Sequence, residues 1–268
     1  MRYGFNLPNF GEFHDVRALA EVAAAAEAGG WDGFFIWDHL SPIFEPGAIV
    51  PTADVTVALT AIALATESIR FGTMVTPLPR RRVQKVAREW VTLDQLSNGR
   101  AILGVGLGEP PPYEYEAFGE NGAVWERARR LDESLTILDG LWKGERVDFD
   151  GDYLKVHSEP LLPTPVQQPR IPIWVAARWP GLAGPYKRAA RWDGVFPIAP
   201  NAMDDFIQVD DIARIKREVG RDDDFEIVVN PGPGADPAAF AEAGATWWIE
   251  TYFDHDKALA RAKKGPPK

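Results

Sequence analysis

The 268-residue chain contains no cysteine. A disulfide framework, a zinc site with thiolate ligands and a cysteine nucleophile are therefore excluded together. Basic residues are also in deficit, because 29 Lys and Arg stand against 39 Asp and Glu and give a formal net charge of −10. Nucleic acids and anionic membrane surfaces bind clustered cations, so this balance argues against both as partners and favours a small organic molecule.

Long apolar runs are missing as well. No window holds 18 uncharged apolar residues, and the N-terminus enters a strand without the charged and apolar segments of a signal peptide. We therefore expect a cytoplasmic protein with no membrane partner. The composition leaves the oligomeric state open, and a homodimer is one of the assemblies compatible with it.

What the sequence does contain is a regular alternation of short apolar strands and amphipathic helices. The alternation repeats about eight times, which predicts an α/β fold of the (β/α)8 TIM-barrel type, a fold that takes roughly 250 residues. The predicted strands are Arg2–Leu7, Gly33–Trp37, Arg70–Thr76, Ala101–Gly106, Ile173–Ala176, Gly194–Pro197, Phe225–Asn230 and Trp247–Glu250. The predicted helices are Val16–Ala28, Val55–Ala65, Val83–Leu96, Arg127–Leu141, Pro185–Arg191, Met203–Val219, Pro237–Ala243 and His255–Lys263.

The alternation pauses after the fourth predicted helix. Between Gly144 and Arg170 the sequence first alternates around Asp150-Gly151-Asp152, which is typical of a β-hairpin, and then becomes rich in proline. We interpret residues 144–170 as an insertion packed on the rim of the barrel, within a single domain of residues 1–264. Residues 265–268 are expected to form a flexible tail.

Functional residues are expected at the C-terminal ends of the strands, because barrel enzymes build their sites there. His39 is the only histidine at such an end, and Asp38 beside it can bias its proton affinity, which points to a general acid or base. The alternative is that Trp37-Asp38-His39 is a turn that only caps the strand. Because no second histidine lies at ligand spacing, we predict no metal site.

Two further motifs leave alternatives open. Gly106-Leu107-Gly108-Glu109 is typical of a turn at which backbone approaches a planar or phosphorylated ligand. It is not a dinucleotide fingerprint, because the third glycine is missing and Pro110-Pro111-Pro112 cannot open the required helix. The run Arg80-Arg81-Arg82 is either an anion site or a solvated charged start of a helix.

In combination and in order, four segments resemble the bacterial luciferase-like monooxygenase family of flavin and deazaflavin oxidoreductases. They are residues 26–40, 70–77, 93–108 and 171–177, of which Leu-Asp-Gln-Leu-Ser-Asn-Gly-Arg at 93–100 is the most specific. The resemblance implies a (β/α)8 barrel with an insertion. It also implies that FMN or the 5-deazaflavin coenzyme binds at the C-terminal mouth of the barrel.

The resemblance also implies roles for particular residues. Asp38 and His39 match a pair in which the histidine donates or accepts a proton beside the cofactor. Met74 and Val75 match a bulge that supports the cofactor ring, and in many members a cis peptide joins these two positions. The strand-end residues expected to bind the cofactor are Asn6, Met74, Val75, Thr76, Gly106, Gly108, Glu109, Ala176, Ala177 and Arg178.

Two departures from the family pattern refine this prediction. Ala177 and Arg178 lie where many members have glycines or a hydroxyl residue, so the Arg178 guanidinium is predicted to take the cofactor phosphate with the amides that follow Ala176. Leu107 lies where some flavin-using members carry a basic residue, which tilts the cofactor prediction slightly toward deazaflavin.

The function predicted by these residues is a flavin- or deazaflavin-dependent redox reaction on an unidentified small organic substrate. Two alternatives remain. The first is a non-catalytic flavin-binding barrel protein, against which the presence of Asp38 and His39 argues. The second is a metal-dependent hydrolase, for which the sequence lacks a ligand set.

Overall fold

Eight parallel strands close into a barrel in the computed structural model, which describes residues 1–43, 47–201, 205–221 and 224–267. The order around the barrel is β1-β10-β9-β8-β7-β4-β3-β2. This closure confirms the predicted fold. The barrel strands are β1 Arg2–Leu7, β2 Gly33–Ile36, β3 Arg70–Pro77, β4 Ala101–Gly106, β7 Ile173–Arg178, β8 Gly194–Ile198, β9 Glu226–Val229 and β10 Trp247–Thr251, and the remaining two are β5 Val147–Asp150 and β6 Lys155–Ser158.

Helices surround the barrel, and several begin with an aspartate whose carboxylate accepts a backbone N–H, as at Asp15 and Asp54. Within the described residues they are α1 Val16–Ala28, α2 Val55–Ala65, α3 Val83–Leu96, α4 Pro111–Glu114, α5 Val124–Trp142, α6 Ala183–Ala189, α7 Val209–Val219, α8 Pro237–Ala243 and α9 His255–Lys264. None of them combines the length and apolar character needed to cross a bilayer.

Two helix predictions need correction. The single turn α4 was not predicted and begins at Pro111, although the three prolines were expected to prevent a helix. Proline is tolerated there because the amides of a first turn have no partner within the helix. The start of the predicted helix Met203–Val219 includes Met203 and Asp204, which lie outside the described residues, and the described helix begins at Val209.

The interior of the barrel is filled by aromatic side chains. The rings of Phe35, Trp174 and Trp247 lie 5.2–5.7 Å apart, centroid to centroid. Gly33 makes room for them, because a Cβ there would lie 2.6 Å from the Trp247 ring. A barrel packed in this way is a core rather than a channel, so a ligand binds above it at a mouth.

The insertion begins with the predicted hairpin, in which β5 and β6 pair antiparallel. Its final residues reach the N-terminal rim of the barrel, where Gln167 donates to Asp94 (2.6 Å) and to the Ala101 carbonyl (2.7 Å). Asp94 is fully buried and also accepts the Val166 amide. The insertion is thereby fastened to α3 and β4.

Arg100 closes the same rim. Its buried guanidinium donates to the carbonyls of Ala63 (2.8 Å), Thr66 (2.9 Å) and Ile69 (3.0 Å). The turn before it places Asn98 at φ 55 and Gly99 at φ 84, the left-handed region that glycine and asparagine tolerate best. The segment 93–100 therefore joins α3 to β4 at the end of the barrel opposite the mouth.

Candidate active site

His39 lies at the mouth of the barrel in a fixed orientation. Asn9, which is fully buried, accepts the His39 amide (3.0 Å) and donates to the His39 carbonyl (2.9 Å) and to that of Ala53 (2.7 Å). The rings of Phe10 and Trp37 lie 5.6 and 5.8 Å from the imidazole. The loops that follow β1 and β2 therefore hold both the backbone and the ring of this histidine.

Glu114, at the end of α4, contacts the imidazole directly. Its Oε1 lies 3.0 Å from His39 Nδ1, and its side chain is 0% exposed. The carboxylate also accepts the backbone amides of Leu40 (3.2 Å) and Ser41 (3.1 Å). Hydrogen bonds of this kind stabilise the ionised form of a buried carboxyl group.

Arg80 joins Glu114 to Asp38. Its Nη2 lies 2.9 Å from Asp38 Oδ1, and its Nη1 forms an ion pair with Glu114 Oε2. Arg81 pairs with the other Asp38 oxygen at 2.7 Å, and the Asp38 side chain is only 2% exposed. We call these five residues, Asp38, His39, Arg80, Arg81 and Glu114, the charged wall.

The three consecutive arginines thus have different environments. Arg80 and Arg81 are ion-pair partners of Asp38, whereas Arg82 is exposed at the start of α3. Neither interpretation of the run, an anion site or a solvated charge cluster, describes Arg80 and Arg81. Among the described residues, no three His, Asp or Glu side chains lie together as a set of metal ligands.

The charged wall changes the proton affinity of His39. Burial and, to a smaller extent, the nearby Arg80 lower the pKa of the imidazole to about 4, while Asp38 acts in the opposite direction. Desolvation disfavours the imidazolium ion because a buried ring loses the water that would solvate its charge. His39 is therefore neutral near pH 7.

Asn6 and the bulge of β3 form the centre of the mouth. Asn6 is 2% exposed, and its Oδ1 has no hydrogen-bond partner among the described residues. The peptide between Met74 and Val75 is cis, as predicted, and the pairing register with β4 shifts between Thr73 and Thr76. Thr76 donates to the Thr73 hydroxyl (3.1 Å), which in turn donates to the Gly104 carbonyl (2.9 Å).

The turn after β4 passes close to this bulge. A Cβ on Gly106 would lie 2.6 Å from Val75, and Gly108 adopts φ +80. The carbonyls of Leu107 and Gly108 both accept Arg127, a buried residue of α5. Glu109 is exposed and lies 3.5 Å from the same guanidinium.

The opposite side of the mouth is formed by the ends of β7 and β8. Ala176 is partly buried, whereas Ala177 is buried in the outer core. Arg178 is exposed and donates to the Pro200 carbonyl (3.3 Å). We call Ala176, Arg178, Ile198 and Pro200 the open wall. That Arg178 takes a phosphate stays a prediction.

Sequence reasoning missed Glu114, Asn9 and the roles of Arg80 and Arg81. Glu114 contacts His39 across 75 residues of chain, and no local pattern marks it as buried. The only available signal concerned the arginines. The run Arg80-Arg81-Arg82 follows β3, and β3 pairs with β2 in parallel, so the run lies beside Asp38 at the end of β2.

Comparison with known proteins identifies the family. The family described as luciferase-like monooxygenase matches residues 1–263, and the chain belongs to it. The F420-dependent glucose-6-phosphate dehydrogenase of Mycobacterium avium (strain 104) is 37% identical over 169 residues, 62% of this chain and 49% of that protein. The enzyme of that name from Rhodococcus erythropolis is 31% identical over 239 residues, 86% of this chain and 69% of its own length. The chain thus spans about half the length of several curated relatives that it matches.

Solved structures support the same fold. An F420-dependent secondary alcohol dehydrogenase in complex with an F420-acetone adduct has a TM-score of 0.77 at 19% identity, covering 99% of this chain and 98% of that one. The coenzyme F420 dependent tetrahydromethanopterin reductase from Methanopyrus kandleri has a TM-score of 0.72 at 18% identity, covering 98% of both chains. At these identities the likeness shows the fold alone.

Proposed function

We propose that the chain is an oxidoreductase that binds a deazaflavin coenzyme of the F420 type in the barrel mouth and acts on a small organic substrate. The names of the relatives and of two structural neighbours support this choice of coenzyme. The observation that carries the proposal is a partly buried, neutral histidine at the mouth whose Nδ1 is held by a buried carboxylate. The second ring nitrogen of such a neutral imidazole can accept a proton.

The residues of the mouth fit a flat, polar ring system. Asn6 Oδ1 and Trp37 Nε1 are buried polar atoms without a partner among the described residues, and buried polar atoms of this kind favour a ligand that completes their hydrogen bonds. Gly106 lets the β4 turn pass close to the bulge, because a Cβ there would lie 2.6 Å from Val75. Asn6, Met74, Val75, Thr76 and Gly106 would hold the ring.

The phosphate end of the coenzyme is proposed to lie at the open wall. The amides that follow Ala176 and the guanidinium of Arg178 would bind it, while Gly108 and Glu109 would border the ring from the β4 turn. A chain of net charge −10 needs a local cation to bind a phosphorylated molecule. Arg178 is exposed and free of a carboxylate partner among the described residues, so it can supply that cation.

When bound, such a coenzyme supplies a two-electron hydride carrier. The chain's own residues supply the rest. His39 moves a proton at the ring nitrogen turned away from Glu114, and Asn9 keeps the imidazole in place. Asp38 is engaged by two arginines, so we propose that it supports the reaction by holding Arg80 beside Glu114 rather than by exchanging a proton itself.

The experiment that tests this proposal is a pair of titrations of the purified protein, one with F420 and one with FMN, followed by coenzyme fluorescence. We expect F420 to bind at least about tenfold more tightly, a difference of about 1.4 kcal/mol. Stronger binding of FMN would replace the deazaflavin proposal by a flavin one. If neither binds, the non-catalytic and the catalytic proposals both fail.

A substrate survey then uses the F420-loaded protein. Alcohols and sugar phosphates are supplied in turn, and reduction of F420 is followed by its loss of absorbance. Turnover with any hydroxyl compound supports the proposal, whereas tight coenzyme binding without turnover across the series would favour the non-catalytic alternative. A cytoplasmic location, a homodimer and a single domain over residues 1–264 stay predictions, and light scattering of the purified chain tests the dimer.

A further inference from the structure

We propose that Glu114 is a positioning residue that fixes the tautomer of His39, with the ring proton on Nδ1 and the lone pair on Nε2. The chemical consequence of this inference rests on the proposed function. The geometry on which it depends does not, because every contact concerned lies within the chain.

The first step of the argument is the charge of Glu114. An ionised carboxylate only accepts hydrogen bonds. Two backbone amides donate to this one and Arg80 forms an ion pair with it, and these contacts favour its ionised form. With its side chain 0% exposed, no bulk water competes for the oxygens. His39 Nδ1 therefore faces an acceptor.

The second step is the protonation of the imidazole. A neutral imidazole donates from one nitrogen and accepts at the other. If Nδ1 lacked the proton, its lone pair would lie 3.0 Å from an anionic oxygen, a repulsive arrangement. Burial and Arg80 keep the ring neutral at pH 7, so the proton of the single N–H lies on the Glu114 side. The lone pair is then on Nε2.

The third step is what this tautomer does. A ring with its lone pair on Nε2 begins a reaction cycle as a proton acceptor, which suits a substrate whose hydroxyl group must lose a proton. When Nε2 takes that proton, the imidazolium forms next to the Glu114 carboxylate, which stabilises the new positive charge. Glu114 thus determines the starting tautomer of His39, and this tautomer makes His39 a proton acceptor at the start of the reaction.

The test uses the free protein, labelled with 15N at the histidine rings, at pH 7 to 8. The spectrum of the His39→Gln variant identifies the His39 signals by their loss. We expect the wild-type ring to show a protonated Nδ1 and an unprotonated Nε2. A protonated Nε2 in the wild-type protein would overturn the proposal, whether or not any variant folds.

Two variants sharpen the test. Glu114→Gln places an amide that can donate to Nδ1, so we expect a shift toward the Nε2-protonated tautomer, and Glu120→Gln is the matched control. Glu120 is an exposed carboxylate in the same loop and should leave the His39 signals unchanged. An unchanged tautomer in a folded Glu114→Gln protein would also contradict the proposal.

Activity provides a separate readout. In the coenzyme-loaded protein we expect Glu114→Gln to lower kcat by about 10²-fold or more with a smaller effect on KM, as expected when a group orients a catalytic histidine. Glu114→Asp keeps the charge and should restore part of the wild-type tautomer. If no coenzyme binds, the proposed function fails while the spectra still decide the role of Glu114.

Discussion

The two walls of the barrel mouth differ in how much of their structure is complete without a ligand. In the charged wall, Asp38 and Glu114 are buried and each has an arginine partner. In the open wall, Arg178 is exposed and hydrogen-bonds only a carbonyl among the described residues. The difference corresponds to two tasks. Proton transfer at the charged wall needs a histidine that is already held in place, whereas at the open wall an exposed cation can form its ion pair when a phosphate binds.

Substitution of Asp38 should destabilise the charged wall more than any other change considered. Asp38→Ala should lower the free energy of unfolding by about 3 to 5 kcal/mol, because the partly buried Arg81 loses its anion and the buried Arg80 keeps only Glu114. Urea denaturation measures this loss. The control is Asp152→Ala, whose ion pair with Arg129 is exposed on both sides and should contribute less than about 1 kcal/mol. Equal losses in the two variants would show that burial does not distinguish these pairs.

His39 carries the second test. His39→Ala should lower turnover by about 10² or more, the scale expected for loss of a general acid or base, and leave the coenzyme dissociation constant within a few fold. Steady-state kinetics and the fluorescence titration measure the two quantities. His14→Ala is the control, because His14 is exposed and contacts the Gly11 carbonyl. An unchanged turnover number would remove His39 from the reaction.

The pH dependence of stability gives a third, smaller effect. The pKa of His39 is about 4 in the folded protein, below the value of about 6.5 for an unfolded chain. As the pH falls below 6.5 the unfolded chain takes up the proton first, so stability is lost between about pH 6.5 and pH 4. We expect a loss of about 2 kcal/mol between pH 7 and pH 5.

This loss is measured as the difference between the wild type and His39→Gln in urea denaturation at each pH. Both proteins contain His157, so the comparison removes its contribution to the pH dependence of stability. The pKa of His157 is raised by its hydrogen bond to Asp148, and its contribution has the opposite sign. Parallel curves for the two proteins would mean that His39 titrates normally in the folded state.

Arg178 tests the open wall and should give the smallest effect. Because the side chain is exposed, Arg178→Ala should weaken binding of the phosphorylated coenzyme by about tenfold, or about 1.5 kcal/mol, the lower end for a charge-assisted hydrogen bond. Added salt should reduce the difference. Arg217→Ala, on the exposed face of α7, serves as the control. An equal loss with the dephosphorylated ring system would instead assign Arg178 to the shape of the pocket.

The barrel could be predicted from the sequence because its strands and helices have clear periods. Helices α1, α2 and α3 have the predicted bounds, and each barrel strand lies within two residues of its prediction. The turn α4 was missed because four residues are too few to show a period and because it begins with proline. Local patterns therefore predicted the strands and helices around the mouth but not the short helix α4 that carries Glu114.

The site was predictable only in part for a related reason. His39 and Asp38 could be found because the end of a parallel strand is a defined place. The partners of these two residues come from other loops, and Arg80 reaches Asp38 across 42 residues of chain. Trp179 shows the same limit, since it directly follows β7 but packs against Tyr186 outside the barrel, with the ring centroids 5.5 Å apart. Side-chain direction at a strand end depends on neighbours that a linear pattern does not reveal.

The separate hydrogen bonds of Asp94 and Arg100 at the N-terminal rim have a consequence for protein engineering. Both residues lie within the segment by which the chain is most easily placed in its family, yet they fasten backbone at the end of the barrel away from His39. Resemblance in this segment therefore indicates a shared set of hydrogen bonds at the N-terminal rim of the barrel and carries no information about the substrate. A combinatorial library that retains residues 93–100 and the charged wall, and randomises the other loops above the strands, should keep its members folded while their substrate preferences diverge.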